Sequence, residues 1–159
     1  GDIAYFDNIS VKEVDSPAVS IQMEGKTTYA DINNDNGKFF NWQLDTDNNF
    51  HAMLSTYQAR TGAIYYIQEA FNVREFVGGP DTSYTPGINV PFNFAVRHGA
   101  TFVNGAIDGT ALTVNTTPTV LPDLSSNNFE LGHGFMGTIG KVVVWNEDIG
   151  DTGIASASL

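Results

Sequence analysis

The paired carboxylates of the chain could in principle hydrolyse a glycosidic bond. A retaining glycosidase places its two carboxyl groups about 5–5.5 Å apart across that bond. The nearest candidates are Asp45 and Asp47 in LDTDNNF, because residues i and i+2 of a strand share one face. Two asparagines follow them, and this composition predicts a solvated turn held by Asx hydrogen bonds. We therefore expect no catalytic residues and no enzyme activity.

The three histidines are scattered along the chain, at His51, His98 and His133. None has a serine or carboxylate partner at a suggestive spacing, as a nucleophile–base pair would require. His98 and His133 each precede a glycine, which is typical of a loop. We expect all three to be polar surface or loop residues.

A run of oxygen-bearing side chains, DINNDNG at 31–37, has the alternate spacing of a calcium loop. Asp31, Asn33 and Asp35 could converge on one hard cation. The EF-hand pattern is excluded because its glycine and its glutamate are replaced by Asn36 and Trp42. Clusters of Asn, Asp and Gly mark turns in most proteins. We favour a polar turn without a cofactor, with a shallow calcium site as the alternative.

Aromatic side chains near turns are the candidates for binding a sugar. The chain has 11 Phe, 6 Tyr and 2 Trp, most of which must build the core. Tyr57 beside Arg60, and Tyr84 near Asp81, combine a ring with a planar polar group, which is the combination that hydrogen-bonds sugar hydroxyls. We expect these four residues to be exposed in two loops, where the alternative is that they are ordinary surface residues.

Composition and net charge argue against several other classes of function. The chain has 159 residues, no cysteine and a formal net charge of −11. This charge repels phosphate backbones and anionic bilayers, so nucleic-acid binding and membrane association are not expected. No apolar run is long enough for a membrane span. We expect one domain over 1–159, cut from a longer chain.

The elements that must position these residues are short strands. AVSIQME at 18–24 alternates, with Val19, Ile21 and Met23 on one face, and FNFAVRHG at 92–99 does the same. KFFNWQL at 38–44 is expected to bury its even-numbered residues. AIYYIQEAF, FELG and TIGKVVVW complete the set, with a type I′ hairpin predicted at Asn104-Gly105.

Helix signals are nearly absent from the chain. The tail DTGIASAS is expected to form one helical turn capped by Asp151 or Thr152. Both faces of TIGKVVVW are apolar, which predicts a central strand and a core position for Trp145. Many short strands separated by turn signals predict an all-β, two-sheet antiparallel β-sandwich or jelly roll.

The last third of the chain resembles a known family when it is read in order. FNFAVRHGATFVNGAIDGT, NFELGHG and FMGTIGKVVVWNEDIGDTGIASAS are similar to the closing segments of concanavalin A-like, laminin-G-like domains. The combination looks most like versions attached to phage tail and fibre proteins. YFDNISVKEV resembles a strand that often closes a carbohydrate-binding-type domain. The resemblance covers 92–157 well and 3–14 moderately.

The resemblance implies a non-catalytic adhesion or glycan-recognition module of a virion structural protein, such as a phage tail fibre. Its partners would be a cell-surface glycan and other virion subunits, on the extracellular face of the virion. The first alternative is a carbohydrate-binding module of a secreted bacterial polysaccharide-degrading protein. The second is a structural spacer domain. Fold resemblance alone does not decide among these functions.

Overall fold

The computed structural model describes residues 18–29, 36–56, 61–124 and 128–159, and these form two five-stranded sheets and a helix. The first sheet has the order β10-β1-β6-β7-β8, and the second has the order β5-β4-β3-β2-β9. Every strand pair is antiparallel, which confirms the predicted β-sandwich. The elements are β1 (Ala18–Tyr29), β2 (Asn36–Gln43), β3 (Asn49–Ser55), β4 (Ala63–Ala70), β5 (Val73–Gly78), β6 (Gly87–Gly99), β7 (Phe102–Ile107), β8 (Thr110–Ala111), β9 (Phe129–Leu131), β10 (Gly137–Trp145) and α1 (Gly150–Ala157).

The core lies between the two sheets and is dominated by aromatic rings. The alternation predicted for β1 and β6 is confirmed, because their inward residues are buried: Val19, Ile21, Met23, Phe92, Phe94 and Val96. From β2, Phe39 lies 4.7 Å from Phe92 and 5.0 Å from Phe94 between ring centroids. Tilted rings at this separation attract each other beyond the area they bury.

A bulge in β2 corrects the prediction that only its even-numbered residues are buried. The register with β3 shifts between Lys38 and Phe40, so Phe39 is the extra residue. Phe39 and Phe40 are both fully buried, whereas Leu44 lies beyond the strand and is exposed. A bulge allows two successive side chains to reach the same side of a sheet, which strict alternation forbids.

The predicted hairpin turn at Asn104-Gly105 is wrong, because both residues lie inside β7. The turn that follows β7 is made by Asp108 and Gly109, which both have positive φ. A Cβ on Gly105 would lie 1.9 Å from the ring of Tyr66. The glycine therefore makes room for a core tyrosine from the opposite sheet, and this long-range contact outweighs its local turn preference.

The last strand also departs from the prediction. Gly25 pairs with Ile139 while Glu24 pairs with Lys141, so a bulge shifts the phase of β10. In the described part of the chain β10 pairs only with β1, so it is an edge strand and not a central one. Trp145 pairs with the outward-facing Ser20 and is half-buried. The expectation that it belongs to the core is therefore wrong.

The helix α1 covers the outer face of the first sheet. It has about two turns instead of one, and its N-cap is Ile149 instead of Asp151 or Thr152. Ile154 packs on Ala95 and Ala106. Among the described residues, no helix is long and apolar enough to span a membrane.

Two ion pairs hold α1 on the first sheet. The Asp151 carboxylate accepts hydrogen bonds from Arg97 Nε at 2.9 Å and from Asn104 Nδ2 at 2.6 Å, and Arg97 also pairs with Asp148 at 2.8 Å. These contacts occupy the outer face of the first sheet. Of the described elements, none packs on the outer face of the second sheet.

Candidate functional site

The candidate site is the outer face of the second sheet, where strand register aligns polar side chains in rows. Inward residues of β3, β4 and β5, such as Phe50, Tyr66 and Val77, lie in the core, so the alternate residues point outward. One row crosses all five strands, and it consists of Glu130, Asn41, His51, Ile67 and Phe76. On one side of it lie Gln43, Asn49, Glu69 and Arg74, and on the other lie Lys38, Met53 and Tyr65. We call these residues the outer face.

The middle of the outer face is a floor of buried amide and imidazole groups. Lys38 Nζ donates to Asn41 Oδ1 at 2.9 Å, and Asn41 Nδ2 donates to Gln43 Oε1 at 3.2 Å. Asn49 Oδ1 lies 3.0 Å from His51 Nδ1. Asn41, Asn49 and His51 are all buried. Their hydrogen bonds hold these side chains in fixed orientations.

The protonation of the ionisable groups on the outer face depends on their burial and on the charged residues beside them. Burial, followed by the positive charges of Lys38 and Arg74, lowers the pKa of His51 to about 3, so this imidazole is neutral at pH 7. Burial also lowers the pKa of Lys38, while the Glu130 carboxylate raises it. Arg74 Nε pairs with Glu69 Oε2 at 3.1 Å. The face therefore holds two cations, each near a carboxylate.

An aromatic pair forms one side of the outer face. The rings of Tyr65 and Phe76 are 6.0 Å apart at 57°, and Phe76 is 49% exposed. Tyr65 lies over Gly78, where a Cβ would come within 2.7 Å of the ring. An exposed aromatic ring offers an apolar surface beside these oriented polar groups. Together they can pack on an apolar ring face while hydrogen-bonding hydroxyls.

The histidine predictions are wrong for two of the three residues. His51 is buried on the floor just described. His98 is buried in the core, stacked on Phe50 with ring centroids 3.8 Å apart, and its Nδ1 lies 3.1 Å from Gln68 Oε1. His133 is exposed, as expected, and lies 3.7 Å from Glu130. The glycine after His98 marks the end of β6, not a loop position for the imidazole.

The structure also corrects one of the predicted sugar-binding loops. Tyr84 is only 2% exposed, its ring packs edge-on against Phe92, and its hydroxyl donates to Asn93 O at 3.0 Å. Burial raises the pKa of Tyr84. Asp81 is exposed in the turn that follows Pro80. Tyr84 thus offers no ring to solvent and shares no surface with Asp81. The other loop, with Tyr57 and Arg60, lies outside the described residues.

The predicted Asx turn at Asp45 is present. Asp45 Oδ1 accepts hydrogen bonds from the backbone N–H groups of Asp47 at 2.9 Å and Asn48 at 2.8 Å. This turn joins β2 to β3. The proposed metal ligands Asp31, Asn33 and Asp35 lie outside the described residues. Within the described ranges, no three His, Asp or Glu side chains are placed to hold a metal ion.

Sequence reasoning missed the outer face because its residues come from five strands. The alternation in KFFNWQL does place Asn41 and Gln43 opposite the buried residues, but no local pattern indicates which residues of the neighbouring strands lie beside them. The segment NFHAMLS, at 49–55, contains a pattern that indicates part of this face. Its alternation of Phe50, Ala52 and Leu54 with Asn49 and His51 places the two polar residues together on an outward face.

Comparison with known proteins gives a structural likeness and no sequence match. No protein-family model matches the chain, and no curated protein sequence matches it. Among solved structures, the leech intramolecular trans-sialidase is similar with a TM-score of 0.69 and 18% identity, over 89% of this chain and 23% of that one. The CBM40 module of a Ruminococcus gnavus IT-sialidase, bound to α2,6 sialyllactose, has a TM-score of 0.66 and 12% identity over 89% of this chain and 82% of that one.

A third similar structure is a mutant of the NanB sialidase of Streptococcus pneumoniae, with a TM-score of 0.68 and 14% identity over 92% of this chain and 25% of that one. The chain therefore spans about a quarter of the two sialidases and most of the isolated module. These likenesses show the fold, which is a two-sheet antiparallel β-sandwich.

Proposed function

We propose that this chain is a non-catalytic glycan-recognition module and that its ligand lies on the outer face of the second sheet. The observation that carries the proposal is the buried floor of Asn41, Asn49 and His51, oriented by hydrogen bonds beside the exposed ring of Phe76. Burying polar groups is costly unless their hydrogen bonds are satisfied. A sheet exposed only to solvent does not need such a floor, whereas a ligand with many hydroxyl groups would use it.

The structural neighbours support the same class of ligand. The R. gnavus module of this fold is bound to sialyllactose, and its length is close to that of this chain. The carboxylates of the described chain support a role without catalysis. Asp45 is occupied by its Asx turn, and Glu69 is paired with Arg74. These two pairings support binding of a sugar without its cleavage.

We propose two biological settings for this module. The resemblance of 92–157 to phage tail and fibre domains supports adhesion in a virion, with a cell-surface glycan and other virion subunits as partners. The likeness to a sialidase-associated module supports a secreted bacterial carbohydrate-binding module equally well. A structural spacer would need no oriented polar floor, so we rank it last. Neighbouring genes that encode baseplate and capsid proteins, or glycanases, would distinguish the first two settings.

Replacing the exposed aromatic residue of the outer face tests the proposed function. Phe76→Ala should weaken glycan binding by about tenfold, as expected for the loss of one aromatic contact, with little change in melting temperature because Phe76 is half-exposed. Ile88→Ala is the matched control, since Ile88 is 82% exposed and belongs to β6 of the first sheet. Affinities measured by isothermal titration calorimetry that fall equally in the two variants would contradict the proposed site.

A further inference from the structure

We infer that the outer face selects uncharged sugars over sugars that carry a carboxylate, and that Glu69 and Glu130 are the residues that discriminate against the anion. The inference rests on the proposed function and names its ligand class. It differs from what the likeness to a sialyllactose-binding module would suggest.

The guanidinium on the outer face already has a carboxylate partner. Arg74 Nε donates to Glu69 Oε2 at 3.1 Å, across directly paired positions of β4 and β5. The Glu69 side chain is only 7% exposed while that of Arg74 is 60% exposed. Water therefore screens the Glu69 charge weakly, and a ligand carboxylate approaching Arg74 would also approach this buried anion.

The ammonium group on the outer face lies near a carboxylate without forming a direct ion pair with it. Lys38 Nζ donates to Asn41 Oδ1, and Asn41 pairs in register with Glu130. Glu130 lies close enough that its charge opposes the effect of burial on the pKa of Lys38. His51, between the two cations, is neutral at pH 7. The outer face therefore carries two formal positive charges, on Lys38 and Arg74, and two formal negative charges, on Glu69 and Glu130.

The rest of the molecule adds repulsion at longer range. The whole chain carries a formal charge of −11, so an anionic ligand meets an unfavourable field before it reaches the face. A neutral sugar meets no such field. Its hydroxyl groups can donate to the oxygens of Glu69, Glu130 and Gln43, which a ligand carboxylate cannot do because it only accepts hydrogen bonds.

An array of paired oligosaccharides tests this inference. Each pair contains one neutral oligosaccharide and the same oligosaccharide with a terminal sialic acid, both probed with the wild-type chain at 50 and 300 mM salt. We expect the neutral member of the bound pairs to bind at least about fivefold more tightly, with little dependence on salt because no ion pair forms. The sialylated member should bind more weakly at the lower salt concentration.

Two isosteric variants assign the selectivity to named residues. Glu130→Gln is the safer change because its side chain is 56% exposed, and Glu69→Gln keeps a hydrogen-bond acceptor for Arg74. Each should reduce the preference for the neutral member by about threefold to fivefold, a typical effect of removing one partly exposed charge. Glu147→Gln removes the same charge from the segment between β10 and α1 and should leave the preference unchanged.

The outcomes separate this inference from the proposed function. Tighter binding of the sialylated members would overturn the inference while leaving glycan recognition in place. Selectivity that shifts equally in Glu147→Gln would overturn the roles of Glu69 and Glu130. No binding to either member of any pair would overturn the proposed function, and the inference with it.

Discussion

At the scale of single residues, the chemistry of this chain depends on which polar groups are buried. His98 and His51 looked like surface residues in the sequence, yet one lies in the core and the other on the floor of the outer face. Sequence neighbours could not reveal this, because the partners of His98 are Phe50 of β3 and Gln68 of β4. The Gln68 side-chain amide also donates to the backbone carbonyls of Gly99 and Val120. These bonds fix the orientation in which its oxygen faces the His98 imidazole.

The buried histidines predict acid-sensitive stability. Burial lowers the pKa of His98 to about 3, below the value of about 6.5 in an unfolded chain. Protonation therefore favours the unfolded state, so stability is full above pH 6.5 and is lost as the pH falls towards 3. Each such histidine contributes a slope of about 1.4 kcal/mol per pH unit within this window. Urea unfolding of wild type and His98→Gln between pH 7.5 and 4.5 should show that, below pH 6.5, this slope shrinks by about this amount in the variant.

Comparing the pH dependence of the unfolding free energy in the two proteins removes the contribution of the carboxylates, because both proteins contain the same ones. The variant is expected to be less stable at pH 7.5, because it loses the stacking on Phe50. Equal slopes for the two proteins would contradict a neutral, buried His98.

At the scale of elements, alternation predicted the strands well wherever the pleat is regular. Val19, Ile21 and Met23 face the core as predicted, and so do Phe92, Phe94 and Val96. The prediction failed for β10 and, in β2, for the bulged residue Phe39, whereas Phe40 and Trp42 face the core as predicted. A bulge is selected by contacts between strands, which the local sequence does not show.

The contact between Gly105 and Tyr66 gives an element-scale prediction. Gly105→Ala should destabilise the sandwich by about 3 kcal/mol, since the new methyl group would overlap a ring that fills the core. A loss of this size lowers the melting temperature by roughly 6–12 °C for a domain of this length. Gly140→Ala is the control, because its Cβ would lie 3.6 Å from the nearest atom, Glu24 O.

Calorimetric melting of the two glycine variants distinguishes the observed β7 from the hairpin predicted from sequence. If Asn104-Gly105 were an exposed type I′ turn, the alanine would meet only the strain of a positive φ, about 1 kcal/mol, and no core ring. A melting temperature for Gly105→Ala within 2 °C of that of Gly140→Ala would contradict the contact.

At the scale of the whole molecule, the fold class followed from the sequence but the site did not. Short strands and turn signals were enough to predict a two-sheet sandwich. The outer face requires the register of β5, β4, β3, β2 and β9, and no single segment contains it. Tyrosines near turns predicted two binding loops, but Tyr84 is a turn residue whose ring is packed into the core.

The net charge of the whole molecule affects how the metal site suggested by the sequence can be tested, because any cation screens that charge. We predict that Asp31, Asn33 and Asp35 form a turn without a specific ion. In that case calcium and magnesium at millimolar concentration should raise the melting temperature equally, by screening the −11 charge. A shift specific to calcium that disappears in Asp31→Ala would show instead that ion binding stabilises the folded state.

The location of the bound glycan tests the central claim most directly. Backbone amide resonances of the ¹⁵N-labelled chain can be followed during titration with the oligosaccharide that binds most tightly on the array. We predict shifts that cluster at Asn41, His51, Ile67 and Phe76, in one row across the second sheet. Shifts that cluster around Asp81 or around α1, with this row unchanged, would contradict the account.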